Sequence, residues 1–209
     1  GAIGLGMGKL GLRERPKDTP GKQACAAVGQ CELMYLYDNL FAEYSITVAQ
    51  MLLTKYILLE DRRKNVENAM ERLIAHGVIP IINENDTVAI DELELEVGEN
   101  DSLAATVAAI AKADLLIIMS DIDGLYDKDP HTYDDARLIP VVHEITDDIR
   151  ALAGGAGTKL GTGGMITKLN AVEIAYDSDI DVVLMNGQHP KTLYDLFDGK
   201  TVGTFFCKN

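Results

Sequence analysis

The sequence is poor in the residues that mark secreted, metal-held or membrane-spanning chains. Cysteine occurs three times, at Cys25, Cys31 and Cys207. An odd number at those spacings fits neither a disulfide framework nor a zinc site. Cys25 and Cys31 fall in one apolar helical stretch and read as small core residues, which suits a reducing, cytoplasmic setting. The four histidines, His76, His131, His143 and His189, are scattered, and no pair has helical metal-ligand spacing. No apolar run approaches the roughly 18 residues that a membrane span needs. Positive charge is scarce too: 19 Lys and Arg stand against 33 Asp and Glu, for a net charge of −14 and a pI near 4.6. Such a balance repels phosphate backbones and anionic lipid heads, so neither nucleic acid nor membrane is an expected partner. An anionic small molecule would have to be met locally, by Lys, backbone N–H groups or Mg²⁺.

Familiar catalytic and nucleotide motifs are missing as well. Gly4-Leu5-Gly6-Met7-Gly8-Lys9 has the look of a P-loop, but Ile3 stands where the first Gly is required and Leu10 where Ser or Thr is required. The dinucleotide fingerprint fails at Lys9. Asp121-Ile122-Asp123-Gly124 starts like an EF-hand loop, but its Gly comes too early and Leu125 takes a ligand position. No G-x-S-x-G element and no Cys–His signature argues for a covalent nucleophile. Asp91, Glu92, Glu94 and Glu96 alternate in part with Leu93, Leu95 and Val97, as on the polar face of a strand or hairpin.

What is present is a chain of 209 residues, 47% of them hydrophobic, long enough to bury a sizeable core. It contains no internal repeats and no Pro/Ser-rich linkers, and so reads as one domain over residues 1–209. Helical periodicity covers Lys22–Phe41, Asn65–His76 (stopped at Gly77), Ser102–Ala113, Met165–Tyr176 and Thr192–Phe197. Short apolar runs at Ile46–Leu53, Val78–Ile82, Leu115–Met119 and Val182–Met185 read as strands, the middle two as buried ones. Alternating strands and helices predict an α/β fold with a mostly parallel sheet covered on both faces. Ligands of such sheets sit beyond the carboxyl ends of the strands. Three loops placed there hold unusual residues: Asn83-Glu84-Asn85-Asp86, Ser120 to Gly124, and Asn186-Gly187.

Asn83 to Asp86 offers amide donors and acceptors and one charge that suits an ammonium group, a set fit for an amino acid. An Asx-rich turn explains the same residues equally well. Gly98-Glu99-Asn100-Asp101 precedes the Ala-rich helix, where Asn100 or Asp101 can cap the helix or the helix start can meet an anion. The richest local signal is Leu160-Gly161-Thr162-Gly163-Gly164-Met165-Ile166-Thr167-Lys168. Its glycines let backbone approach a ligand, the helix that follows presents N–H groups and positive dipole, and Lys168 reaches the same anion from one turn in. A glycine-rich linker would not explain the helix bearing Thr167 and Lys168. Phosphate binding is the expectation.

Taken together these segments resemble the glutamate 5-kinases, a branch of the amino acid kinase family. The matching pieces are Lys22 to Ala24 with Ala27 to Gln30, Gln50 to Thr54, Pro80 to Val88, Gly98 to Asp101, Ser120 to Tyr126 with Asp129-Pro130, Gly161 to Lys168, and Gly203 to Phe205. The resemblance implies a three-layer αβα sandwich with an open, mostly parallel sheet, ATP toward the C-terminal half and the amino acid toward the N-terminal half. It implies transfer of the ATP γ-phosphoryl group to the γ-carboxylate of L-glutamate, the first step of proline synthesis. Lys168 then resembles the lysine that stabilises the transferring group, and Asp101 the aspartate that orients catalytic lysines. Asp86, Asn85, Asn100, Gly1 and Ala2 resemble glutamate-binding residues. Ser120 and Asp121 resemble the nucleotide pair, and Thr162, Gly163, Gly164, Met165, Ile166, Thr167 and Lys168 the phosphate loop. Mg²⁺ would ride mainly on ATP oxygens and water, so no protein metal cluster is expected. The resemblance also implies a homodimer or homotetramer and feedback by proline. Two departures stand out: Glu99 replaces a frequent Asp, and the family's first strand, with its lysine, Gly-Ser-Ser-like turn and glutamate-touching serine, is expected before Gly1. An RNA-modification-type domain often follows in bacterial members. Competing readings are a kinase of acetylglutamate, aspartate, carbamate or a nucleoside monophosphate, and a glutamate sensor without transfer chemistry.

Overall fold

The computed structural model describes residues 1–54, 60–88, 100–153 and 162–208. By its internal contacts the chain divides into two units, Gly1–Glu96 and Val97–Asn209. The strand or hairpin expected over Asp91–Glu96, the Gly98–Glu99 pair, and Leu160 and Gly161 of the glycine-rich segment lie outside the described residues.

The first unit holds helices α1 (Ala2–Lys9), α2 (Thr19–Ala42) and α3 (Glu60–Ala75) and strands β1 (Val48–Leu53) and β2 (Ile79–Glu84). The Gly4–Lys9 segment that resembles a nucleotide loop is therefore a helix. Glycine is a poor helix former, worth about 1 kcal/mol against Ala at each position, so tertiary packing must stabilise α1. Its partner is α2. A Cβ on Gly6 would lie 1.8 Å from the Cys25 carbonyl oxygen, and one on Gly29 would lie 1.7 Å from the Ala2 carbonyl oxygen. The two backbones touch where both helices carry glycine. Cys25 is buried in this contact region as expected, whereas Cys31, facing the other way, is exposed. Asp18 caps α2 by accepting from Gly21 N at 3.0 Å, with Pro20 in the first turn.

Gly77, at φ +70°, stops α3 as its position predicts, with Val78 N returning to Leu73 O at 3.0 Å. The chain then enters β2, which pairs in parallel with β1 from Val48↔Ile79 to Leu53↔Glu84. The strand runs two residues past the expected end, so Asn83 and Glu84 belong to it rather than to the loop. It is half-buried rather than enclosed on both faces, with Ile79 exposed.

The second unit holds α4 (Asn100–Ala111), β3 (Leu115–Ser120), β4 (Val141–Val142), α5 (Asp147–Ala153), α6 (Thr162–Tyr176), β5 (Asp181–Asn186), α7 (Thr192–Phe197) and β6 (Thr204–Phe206). Its strands form a sheet in the order β3-β5-β6-β4. β3 and β5 are parallel from Leu115↔Asp181 to Ser120↔Asn186, β4 and β6 are parallel, and β5 and β6 are antiparallel. The mostly parallel α/β character matches the expectation. The core packs Leu169, Val172 and Ala175 of α6 and Ala105 and Ala108 of α4 with Ile118, Leu125, Val182, Leu184 and Phe206. Each fully buried aliphatic or aromatic side chain there contributes roughly 1.5–3 kcal/mol.

Among the described residues of this unit, Ser102 and Thr204 are buried polar ones. Thr204 is fully buried; its Oγ1 accepts from Leu125 N at 2.8 Å and donates to Ile139 O at 2.7 Å. It anchors the segment that follows β3 onto β6. Thr204→Val keeps the shape but leaves the Leu125 N–H without an acceptor, and should cost about 1–3 kcal/mol. The expected readout is a lower urea midpoint at unchanged slope, with Thr204→Ser close to the parent; equal midpoints for all three proteins would show that the bond contributes nothing.

Candidate active site

The nucleotide-side candidates come together in the second unit. α6 begins at Thr162, so Gly163 and Gly164 lie in its first helical turn and not in a preceding loop. A helix start leaves its first N–H groups without intrahelical partners and carries positive dipole, so the chemistry read for a loop transfers to this turn. Met165 packs against the core while Ile166 is exposed. Lys168 Nζ, largely buried, donates to Asp101 Oδ2 at 3.0 Å and to the Gly164 carbonyl at 3.3 Å. Thr167 Oγ1 lies 3.2 Å from the same Asp101 oxygen and 2.9 Å from the Gly164 carbonyl. Asp101 occupies the first turn of α4, and Asn100 is that helix's first residue. Two helix starts, one carboxylate and one ammonium thus form a single cluster. Asp101 and Lys168 are joined by an ion pair.

Ser120 ends β3, and its Oγ donates to Asp121 Oδ1 at 3.0 Å. Asn186, at the matching end of β5, donates through Nδ2 to Asp123 Oδ1 at 2.8 Å, and Tyr126 OH donates to Asp123 Oδ2 at 3.1 Å. Burial, with Asp123 adding to it, pushes the Tyr126 phenol up, so the hydroxyl remains a donor at neutral pH. All of this stands at the carboxyl ends of parallel strands, where the topology predicts a ligand.

Of the acceptor-side candidates, Gly1, Ala2, Asn85 and Asp86 lie in the first unit, whereas Asn100 lies in the second. Asn85 N donates to Leu53 O at 2.7 Å and its carbonyl accepts from Val88 N at 3.1 Å, which closes the turn that carries Asp86. Asp86 is half-buried, and burial pushes its carboxyl up, with Arg15 pulling in the opposite direction. A carboxylate that is partly stripped of water gains most from an ammonium partner. Upstream, Asn83 Nδ2 donates to Gln30 Oε1 at 3.0 Å, and Gln30 Nε2 donates to Gln50 Oε1 at 3.3 Å. This amide chain ties β2 to α2 and β1 just before the turn. Sequence reasoning gave Gln30 and Gln50 no role; the signal was a Gln inside an otherwise apolar helix face. Gly1 and Ala2 open α1, Gly1 as its N-cap and Ala2 as a buried first residue.

The amino acid kinase family model matches residues 1–186, and this chain belongs to that family. It is 50% identical over 209 residues to a glutamate 5-kinase of Clostridium perfringens (strain 13 / Type A), covering 99% of this chain and 78% of that protein. It is 53% identical over 207 residues to a glutamate 5-kinase of Clostridium tetani (strain Massachusetts / E88), covering 99% of this chain and 77% of that one. Among solved structures it is similar to the carbamate kinase from Giardia lamblia bound to AMP-PNP, with a TM-score of 0.64 and 16% identity over 99% of this chain and 80% of that one. It is also similar to the UMP kinase from Ureaplasma parvum, with a TM-score of 0.60 and 16% identity over 97% of this chain and 75% of that one. At those identities the structures speak to the fold alone.

Proposed function

We propose that this chain transfers the γ-phosphoryl group of ATP to the γ-carboxylate of L-glutamate, giving ADP and L-glutamyl 5-phosphate for proline synthesis. The observation that carries the reading is the Lys168 ammonium, held by Asp101 at the start of α6. The high identity to glutamate 5-kinases supports the choice of acceptor. A γ-carboxylate oxygen bonds to the γ-phosphorus as the bond from that phosphorus to the bridging oxygen breaks, and ADP leaves with the electron pair. No proton has to move, so no nucleophile–base pair is needed; positioning and charge neutralisation do the work. Lys168 and the first-turn N–H groups of α6 stabilise the charge on the transferring oxygens, Ser120 and Asp121 hold the nucleotide, and Asp86, Asn85 and Asn100 hold glutamate.

Mg²⁺, when bound with ATP, neutralises charge on the β- and γ-phosphate oxygens. Among the described residues no three acidic, His or Cys side chains gather to cage a cation. A hard ion that keeps most of its waters fits a site built on the nucleotide's own oxygens. Among the described residues no helix is long and apolar enough to cross a membrane. The family resemblance supports a cytoplasmic homodimer or homotetramer that proline inhibits.

The test is ADP release measured with a panel of acceptors. Glutamate should support turnover, whereas acetylglutamate, aspartate, carbamate and UMP should not. A preference for any of the others would overturn the acceptor assignment.

A further inference from the structure

The paired strands β3 and β5 stop at the same level, Ser120 opposite Asn186. Beyond that level the two chain segments remain joined. Gly187 N donates to Ser120 O at 2.7 Å. Asn186 then spans the gap: its Nδ2 donates to Asp123 Oδ1 at 2.8 Å while its Oδ1 accepts from Gln188 N at 2.8 Å. The second Asp123 oxygen is taken by Tyr126 OH at 3.1 Å. Both ends of the Asn186 amide and both oxygens of Asp123 are therefore engaged, which also fixes the amide's orientation. On the far side, Leu125 N is held by buried Thr204. The segment between Ser120 and Leu125 is thus fastened at its start, at its middle and at its end, and it carries the half-buried Ser120 and the exposed Asp121.

We infer that Asp123 and Asn186 act as one unit to position the nucleotide, by holding the Ser120–Asp121 pair in the geometry that ATP meets. The inference rests on the reading of Ser120 and Asp121 as nucleotide contacts and extends it to two residues that need not touch ATP. The physical reason is pre-organisation. A loop already ordered in the free protein binds without the conformational-entropy cost that a slack loop would incur on binding. In water the bonds themselves are individually modest, so the folded protein tolerates their loss. The effect appears in nucleotide affinity instead.

The experiment compares Asp123→Ala, Asn186→Ala, the double variant, and the exchange of Asp123→Asn with Asn186→Asp. Mg·ATP binding is measured by calorimetry without glutamate, and ATP KM, glutamate KM and kcat by steady-state kinetics. Each single variant should weaken ATP binding and raise ATP KM by about 5–30-fold, the effect of one or two residues left to order on binding. kcat and glutamate KM should change by less than about twofold, and the double variant should be no worse than the worse single, because the pair acts as one unit. The exchange restores donor and acceptor in reversed positions and should recover most of the ATP affinity, a recovery that a general loss of stability would not produce. Unchanged ATP affinity in the singles, additive losses in the double, or no recovery in the exchange would overturn the inference. A parent protein that binds ATP normally while its variants do so equally well removes this inference alone; a parent that binds no ATP removes the functional reading with it.

Discussion

Lys168→Met lowers kcat by about 10²–10³-fold, the loss seen when one pre-organised donor to a developing charge is removed, and leaves glutamate KM within a few-fold. Among the described residues the lysine is the side-chain cation of the cluster at the start of α6, and it is held largely out of water by Asp101 and the Gly164 carbonyl. On the proposed reading, backbone N–H groups at the helix start meet the γ-phosphate already in the ground state. The ammonium adds most as charge builds on the transferring and leaving oxygens, and an interaction realised mainly there appears in kcat and not in KM. Methionine keeps much of the side chain's length but leaves the Asp101 carboxylate without its partner, and that alone can destabilise the protein. The double variant Lys168→Met with Asp101→Asn removes the unpaired charge. It should regain thermal stability without regaining turnover. Recovery of turnover in that double variant, or a rise in glutamate KM as large as the fall in kcat, would remove Lys168 from the transfer step.

Asp86→Asn raises glutamate KM by about 10–100-fold, the equivalent of one lost charge-assisted contact, with little change in kcat. It does so without loss of stability. Burial raises the Asp86 carboxyl above its ordinary 3.8, so the folded protein holds this proton more tightly than the unfolded chain does. The sign follows from proton linkage: above the raised value, the ionised group costs the fold some stability. As pH falls through the raised value toward 3.8 that cost is relieved. At neutral pH the Asn variant should therefore melt at the same temperature as the parent or slightly above it, and the difference should disappear at acid pH. Glutamate should raise the melting temperature of the parent much more than that of the variant, because its ammonium group compensates a charge the variant lacks. A variant that melts lower and binds glutamate normally would make Asp86 a structural residue of its turn.

These two residues show what the sequence could and could not reveal. The expectation for Lys168 came from glycines read as preceding a helix, whereas Gly163 and Gly164 lie in the first turn of α6 itself. The lysine's bond to Asp101, 67 residues away in sequence, is invisible to any local pattern, and only the family resemblance connected the two. The apolar runs over β1, β2, β3 and β5 and the Gly77 stop were readable from period and turn chemistry. The end of β2 was not: Asn83 and Glu84 look like turn residues, yet pairing with Leu52 and Leu53 keeps them in the strand. Helix α1 was hidden for the opposite reason. Three glycines argue against a helix locally, and only the close approach at Gly6 and Gly29 explains one. The short elements β4 and β6 have too few residues to show a period, and Thr204 declares its role only once Leu125 and Ile139 are folded around it.

Whether a phosphoryl group reaches the γ-carboxylate of glutamate is tested by trapping the product with hydroxylamine. Incubated with Mg·ATP, glutamate and hydroxylamine, the protein should form γ-glutamyl hydroxamate in step with ADP, because an acyl phosphate is open to attack at its carbonyl carbon. ADP released without hydroxamate, or hydroxamate on the α-carboxylate, would contradict the account.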